Sequence, residues 1–149
     1  MLFFRSNLKT RPVRASVASA IAISLIILLS TSGFSQNQSE QLKGKRIEEA
    51  SFVKLGDLDQ WIAIRGDHAD APILLVLHGG PGDVQSPLLD AYTDYEHDFV
   101  LVHWDQRGSG KTFGKYKEQT PNLTLDQLVS DGIELTRYLK NRFKQNGVI

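Results

Sequence analysis

Ile73-Leu74-Leu75-Val76-Leu77 runs directly into His78-Gly79-Gly80-Pro81-Gly82, and the run Phe99 to Trp104 leads directly into Asp105-Gln106-Arg107-Gly108-Ser109-Gly110. Both are apolar β-type runs closed by a glycine-rich turn. A run that is apolar at every position, without polar alternation, has both faces covered, as in the middle of a mostly parallel sheet. Two buried strands ending in glycine-rich loops on one side of a sheet are how an α/β enzyme builds the floor of an active site.

Working outward, the segments Glu48 to Leu55 and Gln60 to Arg65 read as an antiparallel hairpin closed by Gly56-Asp57-Leu58-Asp59. Gly66 to Pro72 is a further turn, and Ser86 to Tyr95 fits a short helix between the two buried strands. Downstream, Thr124 is placed as an N-cap, Gln127 completes a capping box and Asp126 lies in the first turn. Leu125, Leu128, Val129, Gly132, Leu135, Thr136, Leu139 and Phe143 then recur at three- and four-residue steps. Lys140, Arg142 and Lys144 suit the negative end of the helix dipole, and Gly147 is placed to stop the helix. The order is hairpin, buried strand, short helix, buried strand, long helix, so the expected class is α/β. After the long helix such a chain returns to the sheet with another parallel strand. Val148 and Ile149 are either its first residues or a ragged end.

The chain has 149 residues, 41% hydrophobic and 23% charged, an ordinary globular composition sized for one domain. It has no cysteine, which excludes disulfide frameworks, thiolate metal sites and a cysteine nucleophile. Arg5, Lys9, Arg11 and Arg14 precede the first acidic residue, Glu40. An apolar stretch, Val17 to Leu29, follows, and then small residues at Gly33 and Ser35. This is the pattern of a secretory signal peptide cleaved near Ser35. The alternative is an uncleaved N-terminal membrane anchor, although the dense apolar core is short of the ~20 residues a spanning helix needs. The expected organisation is therefore a signal peptide over 1–35, a polar leader over 36–46 and a folded part over 47–149, exported to the periplasm or the medium. Taking four basic residues from seventeen leaves thirteen against seventeen acidic ones, a formal −4. A mildly acidic domain without a basic cluster is a poor nucleic-acid binder.

The two motifs, in this order and each closing a buried strand, resemble the proline iminopeptidase branch of the α/β-hydrolase fold. The resemblance covers roughly Phe52 to Phe143 and implies the N-terminal half of such a sheet: an antiparallel hairpin, then parallel strands with flanking helices. It implies acyl transfer on a small peptide, amide or ester, with no cofactor and no metal. A tetrahedral intermediate carries a negative oxygen that needs preorganised N–H donors. In this fold one donor comes from the loop after the third strand and one from the residue after the nucleophile. By resemblance the first is a backbone N–H of Gly79 or Gly80, with Pro81 stiffening the turn and Gly82 allowing a positive φ. Asp105, Gln106, Gly108 and Gly110 would brace this floor, and Arg107 would pair with a carboxylate.

Simpler readings compete at each residue. A glycine-rich strand end alone is only a tight turn; the second motif is what favours the oxyanion reading. His78 reads as a hydrogen-bonded structural histidine, because in this family the base comes late in the chain. His68, His97 and His103 have no metal-ligand spacing, and Trp61 and Trp104 read as core or pocket-wall aromatics. Gly110-Lys111-Thr112 ends like a phosphate-binding loop, but position 105 is Asp where that loop needs glycine.

None of Ser86, Ser109 or Ser130 sits in a Gly-x-Ser-x-Gly turn, and the family's triad of Ser, Asp or Glu, and His follows the long helix. The expectation is that residues 1–149 alone are inactive. Without a fifth strand the edge at Ile73 to Leu77 would self-associate. Two other readings remain open: an esterase or epoxide hydrolase on the same fold, and a non-catalytic interaction fragment.

Overall fold

The computed structural model describes residues 43–79 and 82–149. The signal segment 1–35, most of the polar leader, Gly80 and Pro81 lie outside the described residues. Four strands form one mixed sheet: β1 (Ile47–Leu55), β2 (Leu58–Gly66), β3 (Ile73–Val76) and β4 (Val100–Asp105), in the order β1-β2-β4-β3. β2 is antiparallel to both β1 and β4, whereas β3 and β4 are parallel. The sheet is flanked by a 3-10 segment (Ser86–His97) and two α-helices, α1 (Gly110–Tyr116) and α2 (Leu125–Phe143).

The hairpin is tighter than its sequence suggests. Leu55 pairs with Leu58, so the loop is only Gly56-Asp57, because Leu58 buries its side chain and extends the ladder. Phe52 and Trp61 face each other across it, edge to face, at 5.3 Å between ring centroids. The described end of the leader is tied down. Gly44 N–H donates to the Asp70 carboxylate (3.0 Å), and Ala69 N–H donates to the Lys45 carbonyl (2.8 Å).

β4 is the centre of the sheet, and all six of its residues are buried. The strand's alternation sends Val100, Val102 and Trp104 to the α2 side, where they pack with Leu55, Ile62, Ile64, Ile73, Leu135, Leu139 and Phe143. His103, on the other face, meets the edge of the Tyr92 ring of the 3-10 segment at 4.9 Å. Arg65 holds that segment through Glu96 (2.8 Å) and Asp90 (2.9 Å).

Thr124 caps α2 by accepting from the Gln127 N–H (3.2 Å). The reciprocal half of the expected capping box is absent: the Gln127 side chain turns forward to donate to Asp131 (2.8 Å). Gly147 is not the stop. The helix ends at Phe143, and Lys144 takes the left-handed conformation (φ 54°) with its N–H on the Lys140 carbonyl. Beyond it the chain returns to the sheet. Ile149 N–H donates to the Ile73 carbonyl and Leu75 N–H donates to the Ile149 carbonyl, both at 2.9 Å. That is the pairing of a parallel neighbour of β3.

Candidate active site

β3 and β4 are parallel neighbours, so their C-terminal ends open on the same side of the sheet and bring the two glycine-rich loops together. Two hydrogen bonds join the loops. The Gln106 side-chain amide donates to the His78 carbonyl (3.1 Å), and the Gln106 backbone N–H donates to His78 Nε2 (3.3 Å). His78 is buried, and its Nδ1 has no partner among the described residues. Gly79 is exposed, and a Cβ built there would meet no atom within 4 Å. Gly82 has a φ of 94°, a conformation that favours glycine. A cavity of about 490 Å³ opens beside these residues, lined by His78, Gln106, Arg107, Ser109, Leu123 and Leu128, among others.

The second loop is braced from beneath. Asp105, fully buried, accepts the Lys111 N–H (2.8 Å), which anchors the start of α1. Gly110 has a φ of 51°, and a Cβ there would run into the Asp105 carboxylate. Only glycine lets the chain pass so closely over that group. Thr112 Oγ1 donates to the Asp105 carbonyl and accepts the Trp61 N–H (2.9 Å), which ties α1 to β2. The sequence gives little sign of α1, because Gly110 and Gly114 both lie within its seven residues and disfavour a helix.

Arg107 is the hub. It is 1% exposed and donates to Asp131 through Nε (2.8 Å), to Asp57 (2.7 Å) and to the Pro121 carbonyl (2.8 Å). Asp131, itself buried, also accepts from Gln60 (2.6 Å) and Gln127 (2.8 Å), and Gln60 accepts the Trp104 indole N–H (3.0 Å). Burial opposes the charge on Arg107, but the two carboxylates outweigh it and raise its pKa. Arg107 in turn holds the Asp57 carboxyl below its usual range. The network joins the hairpin turn, β4, the second loop and α2, so Arg107 sets where the loop sits rather than facing the cavity with a free charge.

Of the sequence-predicted site residues, His78, Gly79 and Gly82 lie on the first loop and Asp105, Gln106, Arg107, Gly108 and Gly110 on the second. Gly80 and Pro81 lie outside the described residues. Sequence reasoning missed Asp57, Gln60 and Asp131, which carry no local motif and meet only through long-range pairing, and it weighed Thr112 only as the end of a phosphate-binding loop. No cluster of three metal-ligating side chains occurs among the described residues.

No family model matches the chain. It is 35% identical over 103 residues to the "Probable aminopeptidase YbaC" of Bacillus subtilis (strain 168), covering 68% of this chain and 32% of that protein. A crystal structure of a proline iminopeptidase-related protein from Thermus thermophilus superposes with a TM-score of 0.53 at 37% identity. That likeness covers 62% of this chain and 32% of the other. The chain thus spans about a third of the length of each relative. Both likenesses are consistent with the N-terminal portion of a proline iminopeptidase-like α/β hydrolase and with an incomplete α/β fold. They support a peptidase-like hydrolase.

Proposed function

We propose that the protein carrying this chain, similar over part of its length to proline iminopeptidase-like α/β hydrolases, is a serine hydrolase that removes N-terminal aminoacyl or prolyl groups through an acyl-enzyme. The observation that carries this reading is the joining of the two loops at the open ends of β3 and β4 by the His78–Gln106 pair. That joining supports the reading in which a backbone N–H of the first loop meets a developing oxyanion. His78 fits a structural role here, since its Nε2 already accepts a backbone N–H and is not free to take a substrate proton.

The nucleophile, acid and base belong, on this reading, to sequence outside residues 1–149. The 149 residues alone then hydrolyse nothing, because an oxyanion loop without nucleophile and base gives no covalent catalysis. The basic and apolar pattern of residues 1–35 supports export, with cleavage near Ser35. The edge beyond β3 supports self-association when no further strand covers it.

The test is to express the complete coding sequence and follow release of 4-nitroaniline from prolyl 4-nitroanilide. Hydrolysis is expected, with a loss of about 10²–10³ in kcat when Gly79→Val puts a side chain where the substrate carbonyl must approach the backbone N–H. Residues 1–149 alone should release no chromophore. A complete protein that leaves both the anilide and 4-nitrophenyl acetate intact would sink the reading.

A further inference from the structure

We infer that Gln106 is a positioning residue that turns the Gly79 N–H toward the outer edge of β3, where the oxyanion forms; this rests on the hydrolase reading above. The two Gln106–His78 bonds run from one residue to both ends of the other. The side-chain amide grips the His78 carbonyl at 3.1 Å, and the backbone N–H grips the ring at 3.3 Å. The His78–Gly79 peptide is trans and planar, so its C=O and N–H point in opposite directions. Holding the carbonyl against Gln106, on the β4 side, therefore aims the Gly79 N–H away from β4.

That direction leads to the edge of β3 where Ile149 pairs in parallel. In α/β-hydrolases the second oxyanion donor is the residue after the nucleophile, in a strand-to-helix turn. A strand continuing from Ile149 would carry its turn on that edge. Gly79 itself is exposed, and a Cβ on it would meet nothing within 4 Å. Among the described residues the Gly79 N–H has no acceptor.

The chemistry explains why glutamine serves at position 106. Its amide N–H donates to the carbonyl, while the backbone N–H keeps His78 Nε2 unprotonated and the ring proton on Nδ1. A leucine would leave the carbonyl without this donor and the peptide free to turn. A carboxylate would repel the carbonyl oxygen, whereas a protonated carboxyl could donate to it.

The experiment combines kinetics of the complete protein with ¹⁵N NMR of the His78 ring in the same protein. Gln106→Leu is expected to lower kcat on prolyl 4-nitroanilide about 10²-fold with KM nearly unchanged, because the lost contact acts on the transition state. Gln106→Glu should recover activity relative to wild type as pH falls through the carboxyl range. The wild-type spectrum should show Nε2 unprotonated and Nδ1 protonated. A protonated Nε2 overturns the proposal whatever the activity. Wild-type kcat in Gln106→Leu overturns the positioning role and leaves the hydrolase reading standing. If Gln106→Leu fails to fold, Gln106→Glu decides, and a pH-independent ratio to wild type overturns the proposal. An unprotonated Nε2 in a protein that cleaves neither anilide nor ester removes the hydrolase premise, and the proposal with it, while the pairing itself stands.

Discussion

The two flanks of β4 are finished to different degrees. On the β2 side Arg107 meets two carboxylates and a carbonyl, Asp131 meets three side chains, and α2 closes over Leu55, Ile62 and Ile64. On the β3 side the sheet ends in a four-residue strand, and the only neighbour among the described residues is Ile149. Leu77 is 62% exposed, Leu125 75% and Val129 56%, around a groove of about 500 Å³ between β3 and α2. An apolar strand edge beside an apolar groove invites association. One flank is stabilised by what lies within residues 43–149; the other leaves apolar side chains exposed around a groove.

The sharpest way to break the finished flank is Asp131→Ala. It leaves the buried Arg107 guanidinium with Asp57 alone as a charged partner, and Asp57 is half-exposed. Removing one partner of a buried pair costs about 3–5 kcal/mol. The denaturant midpoint of the complete protein should fall accordingly, with little change in slope. A loss below about 1 kcal/mol, the range of exposed pairs, would show that the network is not the brace described here.

The open flank is tested by Val129→Lys combined with Leu77→Lys, whose effect should differ between residues 1–149 alone and the complete protein. In residues 1–149 the lysines face water and should suppress self-association, seen as a shift toward monomer in sedimentation velocity. On the hydrolase reading further sequence covers the groove in the complete protein, so the same lysines would be buried there and stability should drop by roughly 2 kcal/mol or more. A complete protein indifferent to both lysines would mean that the groove stays open and the two flanks differ only in composition.

The sequence reveals the open flank better than the finished one. Ile73 to Leu77 and Phe99 to Val102 announce their strands because nothing polar interrupts them, although Leu77 is exposed and β3 stops at Val76. The repeat over α2 is also legible, yet it mixes two faces. Leu135, Leu139 and Phe143 reach the core, whereas Leu125 and Val129 point into the groove. Periodicity records that a side chain avoids water, not which surface provides the shelter. The Arg107 network is opaque for a different reason. Asp57, Gln60, Arg107 and Asp131 are spread along the chain and meet only once β1 to β4 have paired. In the site itself both loops are visible as glycine clusters, but their joining through His78 and Gln106 depends on strand order.

A smaller effect separates the flanks by pH. His103 is buried in β4 against Tyr92, and neither ring nitrogen has a partner among the described residues. Burial pushes its pKa below 6.5, Arg65 pushes the same way, and Asp105 opposes them. The unfolded chain then binds the proton more readily than the folded one. Stability should therefore fall as pH drops from about 6.5 toward the folded-state pKa, with a slope of at most about 1.4 kcal/mol per pH unit. Asp57 acts in a lower window, and its pKa is lowered for a different reason, a charge that is favoured rather than one that is buried. Arg107 lowers its pKa, so its contribution is full above about 3.9 and is lost only as pH falls through the depressed value. His103→Phe keeps an aromatic ring against Tyr92 and removes the upper window alone. Denaturation midpoints of wild type and variant at pH 7.5, 5.5 and 3.5 separate the two windows. If His103→Phe retains the slope between 7.5 and 5.5, the acid sensitivity there comes from another group and the burial of His103 against Tyr92 is not its source.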